Sequence, residues 1–135
     1  RLRVIQAEYT QDWLTNDTQN KQADWRTDPK RAGAGAIGDI GTHAFNLLSF
    51  VSGLETEALS AELHSFVEGR QVDDNAHILL RFNGGARGMI WASQVAVGRE
   101  NGLSLRIYGE KGSIEWYQEN PNKMKFTNLG AQHRY

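Results

Sequence analysis

Apolar and polar residues alternate along much of this 135-residue chain, a pattern typical of β-strands. The alternation first appears from Leu2 to Tyr9. It returns in the second half, where we predict strands over Glu57 to Glu68, Asn75 to Phe82, Ala86 to Val97, Leu103 to Tyr108, Ser113 to Tyr117 and Lys123 to Asn128. Asn83-Gly84-Gly85 predicts a hairpin between two of them, because Asn and Gly tolerate positive φ. The second half therefore predicts an antiparallel meander.

A different period governs the segment from Ile37 to Gly53. Its apolar residues recur at the spacing of one helical face, namely Ile40, Ala44, Leu47, Leu48 and Val51. Gly53 suits the left-handed conformation that ends many helices. We therefore predict one helix of roughly fifteen residues. Upstream of it, Asn16 to Asp24 predicts a surface loop, and Asp28-Pro29 predicts a turn.

Together these elements predict an α+β domain with an open, mostly antiparallel β-sheet and the helix packed on one face. Several strands carry apolar or aromatic residues on both sides, as in Met89 to Ala92. Because one strong helix can cover only one face, we expect the other face to meet a partner. A second copy of the chain is the simplest partner.

Composition removes several classes of function. The chain has 15 basic and 16 acidic residues and no basic block, which argues against binding to nucleic acid or to an anionic membrane. No apolar run approaches the roughly 20 residues that span a bilayer. Cysteine is absent, which excludes disulfides and thiol chemistry and fits the cytoplasm. The length suits one domain, and the missing initiator Met predicts a piece of a longer protein.

The main candidate for chemistry is a pair near the start of the predicted helix. Asp39 and His43 are four residues apart, a spacing that places both side chains on one helical face. Two interpretations follow from this spacing. Asp39 could simply support the helix N-terminus beside a structural His43, or the pair could transfer protons near neutral pH. Metal binding is disfavoured, because the other histidines form no tight cluster with His43 along the sequence.

A run of glycines leads into this pair, at Gly33, Gly35, Gly38 and Gly41. The run does not match the G-x-G-x-x-G dinucleotide fingerprint, and no strand precedes it directly. We expect these glycines to permit close packing or the close approach of a ligand.

Two further groups of residues are candidates for binding. Trp25-Arg26 places an aromatic ring beside a guanidinium, a combination that can stack on a planar ring or hold an oxyanion. At the end of the first strand, a pocket for a polyhydroxylated ligand could be lined by Tyr9, Gln11 and Trp13. Both groups also have structural interpretations, as cover for the core edge and as packing against the following loop.

The order of these stretches matches a known family. The chain resembles the C-terminal domain of the Gfo/Idh/MocA oxidoreductases in W-R-T-D-P, A-G-A-G-A-I-G-D-I-G-T-H-A-F-N-L-L-S-F-V-S-G, V-D-D-N-A-H-I-L-L-R-F and L-R-I-Y-G-E-K-G-S-I-E-W. The resemblance extends from Leu2 to about Tyr117. It implies a dihydrodipicolinate-reductase-like C-terminal domain over residues 1–135. It also implies an N-terminal Rossmann domain outside this chain, which would bind NAD or NADP and carry the family's catalytic lysine.

The resemblance also implies roles for individual residues. His43 would exchange the hydroxyl proton of the substrate while hydride moves to or from the nicotinamide, and Asp39 would position or tune it. Trp25 and Arg26 match a pair that lies near the nicotinamide end of the cofactor in some relatives.

The expected substrate-binding residues are Tyr9, Gln11, Trp13 and Asn46. Many relatives have Asp at the position of Asn46, so the resemblance leaves the substrate open.

The expected function is therefore the substrate-binding and catalytic half of an NAD(P)-dependent oxidoreductase. It would act on a CH–OH group of a sugar, a cyclitol or a related polyol, be inactive alone, and form a homo-oligomer through the open sheet face. One alternative is a non-catalytic regulatory or binding member that uses the sheet to recruit a partner. Another is a metal-dependent lyase or hydrolase on the same scaffold.

Overall fold

The computed structural model describes residues 1–135, which form one seven-stranded sheet and four helical segments. In chain order the elements are β1 (Leu2–Thr10), α1 (Lys21–Arg26), α2 (Pro29–Ala32), a π-helix (Ile37–Gly41), α3 (Thr42–Ser52), β2 (Thr56–His64), β3 (Asn75–Phe82), β4 (Arg87–Ser93), β5 (Gly102–Gly109), β6 (Gly112–Tyr117) and β7 (Met124–Asn128). None of the helices has the length and apolar character needed to cross a membrane.

The first strand lies in the middle of the sheet. The strand order is β2-β3-β4-β1-β5-β6-β7, so β1 separates the meander into two halves. β1 runs parallel to β4 and antiparallel to β5. All other neighbouring strands are antiparallel. The predicted α+β class with an open, mostly antiparallel sheet is confirmed.

The core lies between the central strands and α3. Its buried side chains come from alternate positions of the strands and from one face of α3: Ile5, Ala7, Leu80, Phe82, Ala86, Ile90, Leu105, Ile107, Ala44 and Leu48. The period of two along strands and of 3.6 along the helix places these residues on facing surfaces. Burial of their apolar area is the main force that holds α3 on the sheet.

One helix is too short to cover the whole sheet. The edge strand β2 is exposed at every residue after Thr56, and its Leu59 keeps 63% of its surface accessible. On the opposite face, Leu79 is also 63% exposed, and the rings of His77 and Trp91 stack in parallel. The sheet therefore presents apolar side chains on the face away from α3.

The prediction of a loop over Asn16 to Asp24 is wrong in its second half, where α1 begins. The Asn20 side chain accepts hydrogen bonds from the first backbone N–H groups of α1 and caps the helix. The predicted turn at Asp28-Pro29 is likewise the start of α2, with Asp28 as the N-cap. Both helices are too short to produce an apolar period, so only their caps could have indicated them.

Two predicted strands are longer than those observed. β2 ends at His64 and β4 ends at Ser93. After Ser93 the backbone pairs with the loop that follows β1, since Leu14 N–H donates to Gln94 and Ala96 N–H donates to Gln11. This loop pairing takes over the hydrogen bonds that a longer β4 would need.

Candidate active site

One open pocket lies where the carboxyl ends of the parallel strands β1 and β4 meet α1 and the π-helix. Its volume is about 310 Å³, and its lining consists of Tyr9, Gln11, Trp13, Gln22, Arg26, Asp39, Ile40 and His43. Six of the eight predicted site residues are in this lining. Trp25 and Asn46 are not. The pocket therefore unites residues from the first strand end, the first helix and the glycine-rich segment.

The glycine-rich segment is anchored by Asp73, which lies just before β3. The carboxylate of Asp73 accepts a hydrogen bond from the backbone N–H of Gly35 at 2.8 Å and another from Ile37 at 2.7 Å. Gly35 packs so closely that a Cβ there would lie 1.7 Å from the carbonyl oxygen of Asp73. The close-packing role predicted for the glycines is confirmed at Gly35. The backbone amides that could have cradled a phosphate are bonded to Asp73 instead.

Asp39 lies within the π-helix, and His43 lies in the first turn of α3. Short π-helical insertions are often found at functional sites, because the wider turn displaces side chains from their ordinary helical positions. Both side chains line the same pocket, as their spacing predicted. They are not hydrogen bonded to each other, so Asp39 does not orient His43 by direct contact.

Asp39 is held by side chains from two other elements. Its Oδ2 atom accepts hydrogen bonds from Nε of Arg26 at 3.0 Å and from Nε2 of Gln94 at 2.8 Å. The Arg26 and Asp39 side chains are 24% and 25% exposed, whereas Gln94 is only 2% exposed. Charge-assisted hydrogen bonds of this kind are among the stronger polar contacts in proteins. The Asp39 carboxylate therefore has a defined orientation at the pocket wall.

Sequence reasoning did not identify Gln94 as a site residue. It treated Gln94 as part of a longer β4, on the face opposite Trp91 and Ser93. The available indication was a long polar residue at an alternation position otherwise taken by the apolar Ile90 and Ala92.

Two aromatic rings lie close to the guanidinium of Arg26. Its guanidinium carbon lies 4.2 Å from the ring centre of Trp25 and 5.8 Å from that of Trp13. Its Nη1 atom donates to the side-chain oxygen of Gln22 at 2.5 Å. Trp25 therefore stacks against Arg26 outside the pocket lining, and the stack limits the directions in which Arg26 can point.

The opposite wall is made by residues at the end of β1. The Nε1–H of Trp13 donates to Oε1 of Gln11 at 3.0 Å, and the hydroxyl of Tyr9 donates to Asn101 at 2.5 Å. The Tyr9 ring lies 6.1 Å from the ring of His43. Burial and, to a smaller extent, the charge of Asp39 raise the pKa of Tyr9 above its usual value of 10.0. Tyr9 therefore lines the pocket as an uncharged side chain, and its hydroxyl proton is already donated to Asn101.

Asn46 is exposed on α3, one turn beyond His43 and outside the pocket lining. The structure contains no group of three or more His, Cys, Asp or Glu side chains arranged to hold a metal ion.

Comparison with known proteins identifies the family. Residues 1–115 match the sequence model of the GFO/IDH/MocA C-terminal domain. The chain is 33% identical over 135 residues to the oxidoreductase YfiI of Bacillus subtilis (strain 168), covering 96% of this chain and 34% of that relative. This chain belongs to the Gfo/Idh/MocA oxidoreductase family.

Two solved structures share the fold closely. An oxidoreductase from Sinorhizobium meliloti is 50% identical with a TM-score of 0.85, covering 98% of this chain and 34% of that chain. An inositol dehydrogenase homologue from Azotobacter vinelandii, solved with NAD+, is 31% identical with a TM-score of 0.94, covering 98% of this chain and 36% of that chain. The chain thus spans about a third of the length of these relatives.

Proposed function

We propose that this chain is the substrate-binding and catalytic part of an NAD(P)-dependent dehydrogenase. The substrate class is a sugar, a cyclitol or a related polyol, oxidised or reduced at one CH–OH carbon. The observation that carries the proposal is a pocket lined by both His43, which is exposed, and Asp39, which is held by Arg26 and Gln94. The inositol dehydrogenase homologue with the same fold supports the polyol class.

The lining of the pocket suits a small ligand with several hydroxyl groups. Gln11, Gln22, Arg26, Asp39 and His43 all reach it, so donors and acceptors are distributed around its wall. A volume of about 310 Å³ is at the lower end of small-molecule sites and admits a molecule of one ring. Tyr9 and Trp13 add apolar ring faces, against which the C–H surfaces of a polyol can pack.

His43 is the group best placed to exchange the hydroxyl proton. A bound NAD or NADP would supply the hydride acceptor or donor for the reacting carbon. The accompanying proton must leave or join the hydroxyl oxygen. The His43 imidazole is hydrogen bonded to no other side chain, so its ring nitrogens are available to take and return that proton. Asp39, already paired with Arg26, serves as a fixed carboxylate beside it.

This chain offers contacts to only part of a dinucleotide. The stack of Trp25 and Arg26 stands at the edge of the pocket and could meet a flat nicotinamide ring. The amides of Gly35 and Ile37 are bonded to Asp73, so the glycine-rich segment offers no phosphate cradle. We therefore propose that NAD or NADP is held mainly by an N-terminal Rossmann domain outside this chain, and that the chain alone is inactive.

The sheet face opposite α3 is the proposed site of self-association. It carries Leu79, which is 63% exposed, and the exposed ring of His77, which stacks on the half-buried ring of Trp91. Exposed apolar and aromatic side chains on a sheet face are often found at interfaces. We therefore propose that the full-length protein forms a homo-oligomer through this face. Action in the cytoplasm, without binding to nucleic acid or membrane, is a separate part of the proposal.

The test is His43→Ala in the full-length protein, assayed with NAD+ and NADP+ on a panel of sugars and cyclitols that includes myo-inositol. Loss of the general acid/base should lower kcat/KM by about 10²–10⁴-fold without loss of folding. His133→Ala is the matched control, since His133 is exposed and lies far along the chain from the pocket. An unchanged kcat/KM in a folded His43→Ala protein contradicts the assignment. A wild-type protein that turns over no member of the panel favours the non-catalytic alternative.

A further inference from the structure

The hydrogen bonds to Asp39 are distributed unevenly between its two oxygens. Arg26 and Gln94 both donate to Oδ2, at 3.0 Å and 2.8 Å, and no protein group donates to Oδ1. An ionised carboxylate can accept about four hydrogen bonds, two at each oxygen. One oxygen of Asp39 is thus saturated, while the other keeps its full capacity within a solvent-open pocket.

Gln94 is well fixed in this arrangement. It immediately follows β4, where its backbone N–H donates to Asp74 at 2.9 Å and its carbonyl accepts from Leu14 at 3.2 Å. Its side chain is almost fully buried, and a buried amide without a partner would be costly. The backbone bonds and the burial of Gln94 therefore fix the position of the amide that donates to Asp39.

The two donors restrain Asp39 from different directions. Arg26 comes from α1 and stacks on Trp25, whereas Gln94 comes from the end of a central strand. A single donor would leave the carboxylate free to rotate about that contact. Two donors on the same oxygen define where the second oxygen points, which is the kind of preorganisation that binding sites require.

We propose that Gln94 is a positioning residue of this site. Together with Arg26 it holds Oδ2 of Asp39, so that Oδ1 is presented to the pocket as the acceptor for a substrate hydroxyl. This inference rests on the proposed function and gives Asp39 and His43 different roles. Asp39 accepts a hydrogen bond and orients the substrate, and His43 exchanges the proton.

The test is a double-mutant cycle in the full-length protein with Gln94→Leu, Asp39→Asn and the combination, using the polyol and cofactor that the panel identifies. Gln94→Leu should lower kcat/KM by about 10–100-fold, because loss of alignment by a fraction of an ångström is costly in a positioned site. If Gln94 acts through Asp39, the double variant should be no less active than Asp39→Asn alone. Independent, multiplying losses would overturn the inference.

Two further variants separate positioning from folding. Gln94→Glu keeps the length of the side chain, replaces the donor with a second carboxylate, and should reduce kcat/KM at least as much as Gln94→Leu. It also replaces Gln94→Leu in the cycle if that variant does not fold. Gln118→Leu, at a half-buried position just after β6, should leave kcat/KM unchanged. A Gln94→Glu protein with full activity would contradict the assignment.

The outcome can be distinguished from failure of the proposed function. If the wild-type protein turns over no substrate, the dehydrogenase proposal fails, and the same cycle is then measured on the affinity for myo-inositol by calorimetry. Weaker binding in Gln94→Leu that disappears in the Asp39→Asn background supports the positioning role. Equal binding by wild type and Gln94→Leu, or no binding by either, overturns it.

Discussion

Two regions of this chain hold their carboxylates with different groups: Asp73 and Asp74, just before β3, and Asp39, in the π-helix. Asp74 is fully buried, and its oxygens accept from two backbone N–H groups of the preceding loop and from Arg70, whose side chain is 4% exposed. Asp73 likewise accepts from two backbone N–H groups. Asp39 is a quarter exposed and accepts only from side chains.

The type of donor distinguishes a carboxylate that anchors a loop from a carboxylate that is available to a ligand. A carboxylate held by backbone amides cannot release them without local unfolding, so Asp73 and Asp74 join loops to the sheet. A carboxylate held through one oxygen by two side chains keeps the other oxygen available to a ligand. The same residue type is thus structural in one region and a candidate for function in the other.

The largest effect on stability is expected for Asp74→Ala. It leaves the nearly buried guanidinium of Arg70 without its carboxylate, and the backbone N–H groups of Phe66 and Val67 without their acceptor. We expect a loss of about 3–5 kcal/mol in the free energy of unfolding, measured by urea denaturation. A loss below about 1 kcal/mol would show that backbone donors and Arg70 do not make this carboxylate an anchor.

Asp73→Ala should have a smaller effect on stability and an additional effect on activity. Removing two charge-assisted hydrogen bonds should cost about 2–4 kcal/mol in the free energy of unfolding. Because Asp73 holds the segment that leads into the π-helix, kcat/KM of the full-length protein should also fall. Both quantities, the free energy of unfolding and kcat/KM, are to be compared with those of Asp39→Asn.

For Asp39→Asn we expect the reverse balance, a large fall in kcat/KM with a change in the free energy of unfolding of about 1 kcal/mol or less. If Asp39→Asn destabilises the protein as strongly as Asp73→Ala does, the distinction between the two acidic regions is lost.

The smallest effect concerns Tyr9, which lies near the charge of Asp39. Burial and that charge raise the pKa of Tyr9, so the folded state holds the phenol proton more tightly than the unfolded state does. The contribution of the Tyr9 phenol to the free energy of unfolding is fully present below about pH 10. It is lost as the pH rises through the pKa of Tyr9 in the folded state. Urea unfolding from about pH 9 to about pH 11 should show stability falling with pH, and Tyr9→Phe should reduce the slope.

Tyr117 keeps part of this slope in the Tyr9→Phe variant, since burial and then Glu115 raise its pKa as well. A Tyr9→Phe protein with the same pH dependence as wild type would contradict the influence of the pocket environment on Tyr9.

Local patterns predicted most of the secondary structure. Strand periodicity located all seven strands, and Gly53 ends α3 in the left-handed conformation with φ of 65°. The patterns missed α1 because a helix of six residues with one buried side chain, Ala23, has no apolar period. They also missed the central position of β1, since alternation within a strand carries no information about its neighbours.

The site was predictable only in part for the same reason. Asp39 and His43 share a face by local geometry, and the spacing alone was enough to pair them. Gln94 follows a strand 55 residues after Asp39 and meets it only because the π-helix packs on β4, where Ile40 is buried against Ala92. No local pattern predicts that approach.

The sequence by itself determined the strands, the main helix and the placement of Asp39 and His43 on one side of the helical segment, because each depends on residues within a few positions of one another. The tertiary structure alone decided which groups hold Asp39 and which of its oxygens is free. It also decided that Asp73, rather than a ligand, occupies the amides of the glycine-rich segment. These contacts join elements distant in sequence, and only the packing of the sheet brings them within hydrogen-bond distance.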